Sequence, residues 1–157
     1  MKLKRLAASA VASITAAIGL GVVTASPALA TDVGSWRAYG SSNPIASNWH
    51  CGPTVSNANG LSAQSCVIRS NSLADKVQAA LIVRNRLSTA ISTWASIYLL
   101  DDTYPPSQVG EGDYYCASSG LAPKSVSVCF GTTETYNGWA RSYGSSRAGT
   151  TEHSPLG

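Results

Sequence analysis

From residue 61 to residue 130 the chain alternates apolar and polar positions with a period close to two. Val126, Val128 and Phe130 interleave with Ser125, Ser127 and Cys129, the pattern of a half-buried strand. Trp94, Tyr98 and Leu100 alternate with Ala95, Ile97 and Leu99, and Val77, Ala79, Leu81 and Val83 with Gln78, Ala80, Ile82 and Arg84. Ala63 to Arg69 repeats the pattern, with Cys66 and Ile68 on one face. Turn-forming residues separate these runs at 57–60, 71–75, 105–112, 118–120 and 137–138. Short strands at this spacing predict an all-β fold, a small antiparallel β-sandwich.

One stretch reads two ways. Ser72-Leu73-Ala74-Asp75 resembles a helix cap, and Leu73, Val77, Leu81, Leu87 and Ile91 would then form an apolar stripe. Against this, Ile82-Val83 is β-branched and Arg84-Asn85-Arg86 interrupts the run. Two strands joined by a loop is the reading favoured over residues 72–95.

The N-terminus changes the picture of where the domain begins. Lys2, Lys4 and Arg5 precede an apolar run from Leu6 to Val23, and Ala28-Leu29-Ala30 closes it. This is the order of a signal peptide over residues 1–30, cleaved before Thr31. Residues 31–48 then form an N-terminal arm with one short edge strand, 49–143 the β domain, and 144–157 a polar, disordered tail. No second long apolar segment follows, so no membrane association is expected after cleavage. Three of the 11 basic residues fall in the signal segment, leaving eight against eight acidic groups. A neutral domain has no electrostatic footprint for nucleic acid.

Cys51, Cys66, Cys116 and Cys129 all follow the signal segment. An even number in an exported chain reads as two disulfides. Three pairings are open, and spacing favours the local one, Cys51–Cys66 and Cys116–Cys129, as two stapled hairpins. No C-x-x-C pair suggests zinc.

Trp49-His50-Cys51-Gly52, Ala63-Gln64-Ser65-Cys66-Val67-Ile68, Val77 to Asn85 and Ser125 to Phe130 resemble a group of small secreted Gram-positive proteins of unknown function. The likeness spans about Trp49 to Gly131. It implies an extracellular, disulfide-containing β module and brings no catalytic residues with it. Trp36-Arg37-Ala38-Tyr39 resembles the Trp-Arg-Tyr triplet of small exported α-amylase inhibitors. Here an alanine interrupts the triplet, which lies before the first cysteine instead of inside a disulfide loop.

Chemistry is sparse. His50 beside Cys51 has the residue types of a thiol–histidine pair, but a cystine supplies no thiolate. His153 falls in the tail, and no G-x-S-x-G elbow occurs. Asp101, Asp102, Glu111 and Asp113 flank a Pro-Pro loop. Their alternative readings are surface acids, a calcium site, and, for Glu111 and Asp113, a glycosidase carboxylate pair. Four Trp and seven Tyr against one Phe give nearly every ring a polar handle suited to half-wet positions. Trp49, Trp139, Tyr104, Tyr114, Tyr115 and Tyr136 are the candidate binding residues, with Trp49 and Trp139 the leading pair.

The sequence therefore predicts a secreted, non-catalytic module without a cofactor. Its expected partner is a cell-wall glycan or an extracellular protein. The alternatives are an inhibitor of a hydrolase and a small glycoside hydrolase.

Overall fold

The structure, a computed structural model, describes residues 32–70, 75–103 and 105–157, without the side chains of Asp32 and Glu111. The expected signal segment, the capping pattern at Ser72-Leu73-Ala74 and Tyr104 lie outside the described residues. Among the described residues there are eleven strands and no helix. The stretch from 76 to 95 resolves as two strands joined by a loop, as favoured from its β-branched content.

The strands form two sheets. Sheet A takes β1 (Asp32–Val33), β8 (Gln108–Leu121), β7 (Ile91–Asp101), β10 (Ala140–Ser146) and β11 (Gly149–Thr150), in that spatial order. Sheet B takes β2 (Ser35–Gly40), β9 (Val126–Thr135), β6 (Lys76–Asn85), β5 (Leu61–Arg69) and β3 (Trp49–Cys51), with β4 (Val55–Ser56) also on β5. Every pairing is antiparallel except that of β1 with β8.

One apolar cluster draws on both sheets: Leu61, Val67, Val77, Leu81 and Val83 from B meet Ile97, Leu99, Tyr114, Leu121 and Ala140 from A. Period-two alternation delivers these side chains to one face of each strand. Sheet B also buries its other face. There Cys66, Ala80, Ile82, Val126 and Val128 are covered by Tyr39, Ile45, Trp49 and Phe130. This explains why Ala79 to Val83 is an unbroken buried run, since a strand covered on both sides needs no polar position.

Both local disulfides form, and among the described residues no cysteine is free. They do different jobs. Cys51 and Cys66 are direct cross-strand partners on β3 and β5. Cys116 lies on β8 and Cys129 on β9, so this bond ties sheet A to sheet B and is not a hairpin staple. Beside it the chain passes from β1 to β2 through Gly34, where a Cβ would come within 2.8 Å of Cys116 Sγ. Only a residue without a side chain lets the backbone cross there. The expected N-terminal arm is thus a double strand, one half in each sheet, and Trp36 Nε1 reinforces the crossing by donating to Ala117 O at 2.7 Å.

The expectation of a disordered tail from Gly144 is corrected. Gly144 lies inside β10, and the residues beyond β11 run alongside that strand. Thr151 N donates to Gly144 O (2.8 Å), Ser154 N to Ser142 O (2.7 Å) and Gly157 N to Ala140 O (3.0 Å). Thr151 Oγ1 and Ser154 Oγ accept from Gly144 N and Ser142 N, each at 2.8 Å. Ser65 Oγ, from sheet B, donates to Glu152 O at 2.8 Å. A segment with few apolar residues stays in place because its backbone and hydroxyl groups satisfy those of its neighbours.

Candidate functional site

Sheet A, unlike sheet B, leaves its outer face open, and this face carries the exposed rings Trp94 and Tyr115. On β7 the positions Trp94, Ser96 and Tyr98 point away from the core, because Ala95, Ile97 and Leu99 point into it. On β8 the outward positions are Asp113, Tyr115 and Ala117, because Tyr114 and Cys116 are fully buried. Cross-strand register then places Tyr98 opposite both Asp113 and Tyr143, and Tyr115 opposite both Ser96 and Val33.

The result is a line of rings across three strands. Tyr98 and Tyr143 stack with centroids 4.6 Å apart and planes 10° from parallel. His153 extends the line from the C-terminal segment, 5.0 Å from Tyr143. Next to the line, Val33, Ser96, Tyr98, Asp113, Tyr115 and Ala117 surround a depression of about 340 Å³. That volume lies at the lower end of small-ligand sites. Val33 is 84% exposed, Tyr115 42% and Trp94 37%, so apolar surface faces water here without cover.

Asp113 is the acidic group lining this depression among the described residues. Its Oδ1 is buried, and among the described residues none donates a hydrogen bond to it. Burial pushes its carboxyl above the usual carboxylate range. Burial likewise raises the Tyr143 phenol, with Tyr98 and Asp113 adding to the effect.

Asp101 and Asp102, two of the four acids expected to act together, each have partners of their own. Asp101 Oδ1 accepts from Thr103 N (3.1 Å), Thr103 Oγ1 (2.6 Å) and Ser107 N (2.8 Å), so it organises its own loop. The Thr103 hydroxyl above all, with the Ser107 amide, draws its carboxyl below the usual range. Asp102 pairs with Arg141 at 3.6 Å. The Glu111 side chain is outside the described ones. Among the described residues no three His, Cys, Asp or Glu side chains converge on a point where a metal ion could sit.

The predicted binding rings divide. Tyr115 and Trp139 are exposed; Tyr114 is not, and its candidacy is corrected. Tyr114 is fully buried against Gly131, donates to Glu134 Oε1 at 2.8 Å, and is pushed by burial up to about 12. Trp49 is half-buried, edge-on to Phe130 at 5.8 Å, and covers the second cluster. Tyr136 packs partly against the main core. Trp139, 65% exposed, borders a separate depression with Arg69, Asn137, Gly138 and Gly157. Trp49 does not itself line that depression, although Arg69, which does, is hydrogen-bonded to Asn48 beside it. Trp36 to Tyr39 lies within β2, with the Arg37 guanidinium 5.3 Å over the Tyr39 ring.

Sequence reasoning missed Tyr98 and Ser96, and did not single out Tyr143. The signal was present as the outward half of the β7 alternation, Trp94-x-Ser96-x-Tyr98. It could be read only once the inward half had been assigned. Comparison of the chain with protein-family models, with curated proteins and with solved structures finds no match.

Proposed function

We propose that this chain is a secreted, non-catalytic β-sandwich module that binds an extracellular glycan on the outer face of sheet A. The observation that carries the reading is the aromatic face itself: Tyr98, Tyr143, Tyr115 and Trp94 presented on a rigid sheet beside an open depression. Sugars offer flat C–H faces that lie against aromatic rings, and ring hydroxyls and Ser96 supply the directional contacts. A rigid sheet holds these groups in place before the ligand arrives, which limits the ordering cost of binding. Two disulfides suit an oxidising exterior. Among the described residues no helix is long and apolar enough to cross a membrane.

The test is titration calorimetry against a panel of plant and cell-wall oligosaccharides, with Tyr98→Ala and Tyr115→Ala compared with the unaltered protein. Each substitution is expected to weaken binding about tenfold or more while the melting curve stays cooperative, since both rings are partly solvated. Undiminished affinity in both variants would remove the site. A folded protein that binds no saccharide would remove the function.

A further inference from the structure

We propose that the ligand carries a protonated amine, so that the bound glycan is an amino-sugar polymer, and that Asp113 is the residue that reads the amine. The inference rests on the glycan reading above and gives it a chemical class.

Asp113 stands in the middle of the aromatic face. It shares the outward side of β8 with Tyr115, and lies across from Tyr98 on β7, whose other neighbour is Tyr143 on β10. Among the described residues these rings and Arg141 are the titratable side chains on this side of β7, β8 and β10 near it, and Val33, Ser96 and Ala117 complete the depression. No basic side chain lines the depression among the described residues. Arg141, on the same outward side of β10 as Tyr143, pairs through Nη2 with Asp102 at 3.6 Å, while its buried Nε has no acceptor among the described residues. Asp113 Oδ1 is removed from solvent, and among the described residues no donor replaces water there. A carboxylate left in that condition calls for a donor from outside the chain.

Charge decides which donor fits. A hydroxyl would satisfy the oxygen but leave the negative charge unbalanced among rings. An ammonium group balances it, and the electron-rich faces of Tyr98 and Tyr115 attract the same cation. Burial has already raised the carboxyl's proton affinity, in keeping with a site whose charged form is stabilised once a cation arrives. A sugar ring against the tyrosines with its amine on Asp113 uses every polar and apolar feature of the depression.

The experiment titrates protein purified from cells expressing the full chain with three tetrasaccharides. These are a fully de-N-acetylated glucosamine tetramer, the same tetramer fully N-acetylated, and cellotetraose, at mildly acidic pH where the amine is protonated. The expected result is a preference of about tenfold or more for the free amine, the size of one charge-assisted bond to a partly desolvated carboxylate. Asp113→Asn should abolish the preference while retaining whatever affinity the rings confer on the neutral sugars. If that variant does not fold, the salt dependence of the unaltered protein decides. Affinity for the amine tetramer should fall as salt rises, with cellotetraose unaffected. Equal binding of all three sugars, or a preference that survives Asp113→Asn, overturns the amine inference and leaves the glycan reading standing. Binding to none of them and to no other saccharide overturns both.

Discussion

Replacing Cys116 and Cys129 together by alanine tests the claim that this bond is part of the core as well as a cross-link. The chain between them is short, with a sequence separation of 13. Restoring its freedom in the unfolded state costs about 3 kcal/mol in the chain-entropy account. A second contribution arises in the folded state. Both cysteines are fully buried, and both belong to the cluster shared by the two sheets. Deleting two sulfurs there leaves a small void beside Gly34, worth about 1–2 kcal/mol. The expected loss is therefore about 4–5 kcal/mol, or a fall in Tm of about 15–20 °C for a domain of this size. The matching pair Cys51→Ala/Cys66→Ala closes a loop of similar length, with a separation of 15. It joins strands the ladder already aligns, and Cys51 is only half-buried. Its loss should be smaller, about 3 kcal/mol. Urea unfolding of the two double variants, monitored by tryptophan fluorescence and far-UV dichroism, gives both values. A loss below about 2 kcal/mol for the inter-sheet pair, or a smaller loss than for the in-sheet pair, would refute the reasoning.

Other outcomes follow from the same geometry. Gly131→Ala places a Cβ 2.4 Å from the Tyr114 ring, and chemical denaturation should show a loss of about 1–3 kcal/mol as that buried ring is displaced. Trp139→Ala should leave Tm nearly unchanged, because the ring is 65% exposed, whereas Trp49→Ala should cost about 2–4 kcal/mol by uncovering Phe130 and the second cluster. The two melting curves rank them, and equal Tm values would contradict the burial described. Asp113 has its folded carboxyl raised by burial, so its penalty is absent below the unfolded value near about 3.9. The penalty grows as pH rises from there through the folded value, and is constant above it. Asp113→Asn should remove that fall in stability and leave the variant at least as stable at neutral pH; a variant clearly less stable there would show that the carboxylate has a structural partner. Asp101 has the opposite sign. Its folded carboxyl is lowered, first by Thr103 and then by Ser107, so its contribution is present above the unfolded value and lost as acid takes pH down through the folded one. Asp101→Asn should flatten the acid limb of the stability curve.

Strands were legible because their period is a property of single segments. Which face turns inward is not. Tyr114 and Tyr115 are chemically identical neighbours, yet one is fully buried and the other 42% exposed. Only their register with β7 separates them, since Tyr114 meets Ile97 and Tyr115 meets Ser96. Irregular pairing between Tyr98 and Leu100 further lets the consecutive Leu99 and Leu100 both be buried, which strict alternation forbids. The outward side of Trp94 and Tyr98 on β7 was not legible for the same reason: a tyrosine in an apolar run reads as core until the opposite face is known to be filled. The local disulfides were legible from spacing, but their placement across sheets was not. The C-terminal segment misled because its order comes from backbone pairing with β10, a partner that composition does not reveal. Asp113 was noticed as one acid among four, and the partners that occupy Asp101 and Asp102 appear only in the folded chain.

The chain's crossing at Gly34 has a consequence for self-association. β1 completes one border of sheet A and β2 the corresponding border of sheet B, and both lie on one short run of chain ahead of β3. Lifting that run away would unpair Val126 to Phe130 of β9 and, beside them, Tyr114 and Tyr115 of β8, held together by the Cys116–Cys129 bond. A strand from another copy would find the same pairing rules there as the chain's own. The N-terminal strands thus act as a double seal against intermolecular strand exchange. Any fusion or trimming that loosens residues 32–40 should appear first as dimers and larger species on a sizing column, before any change in the core.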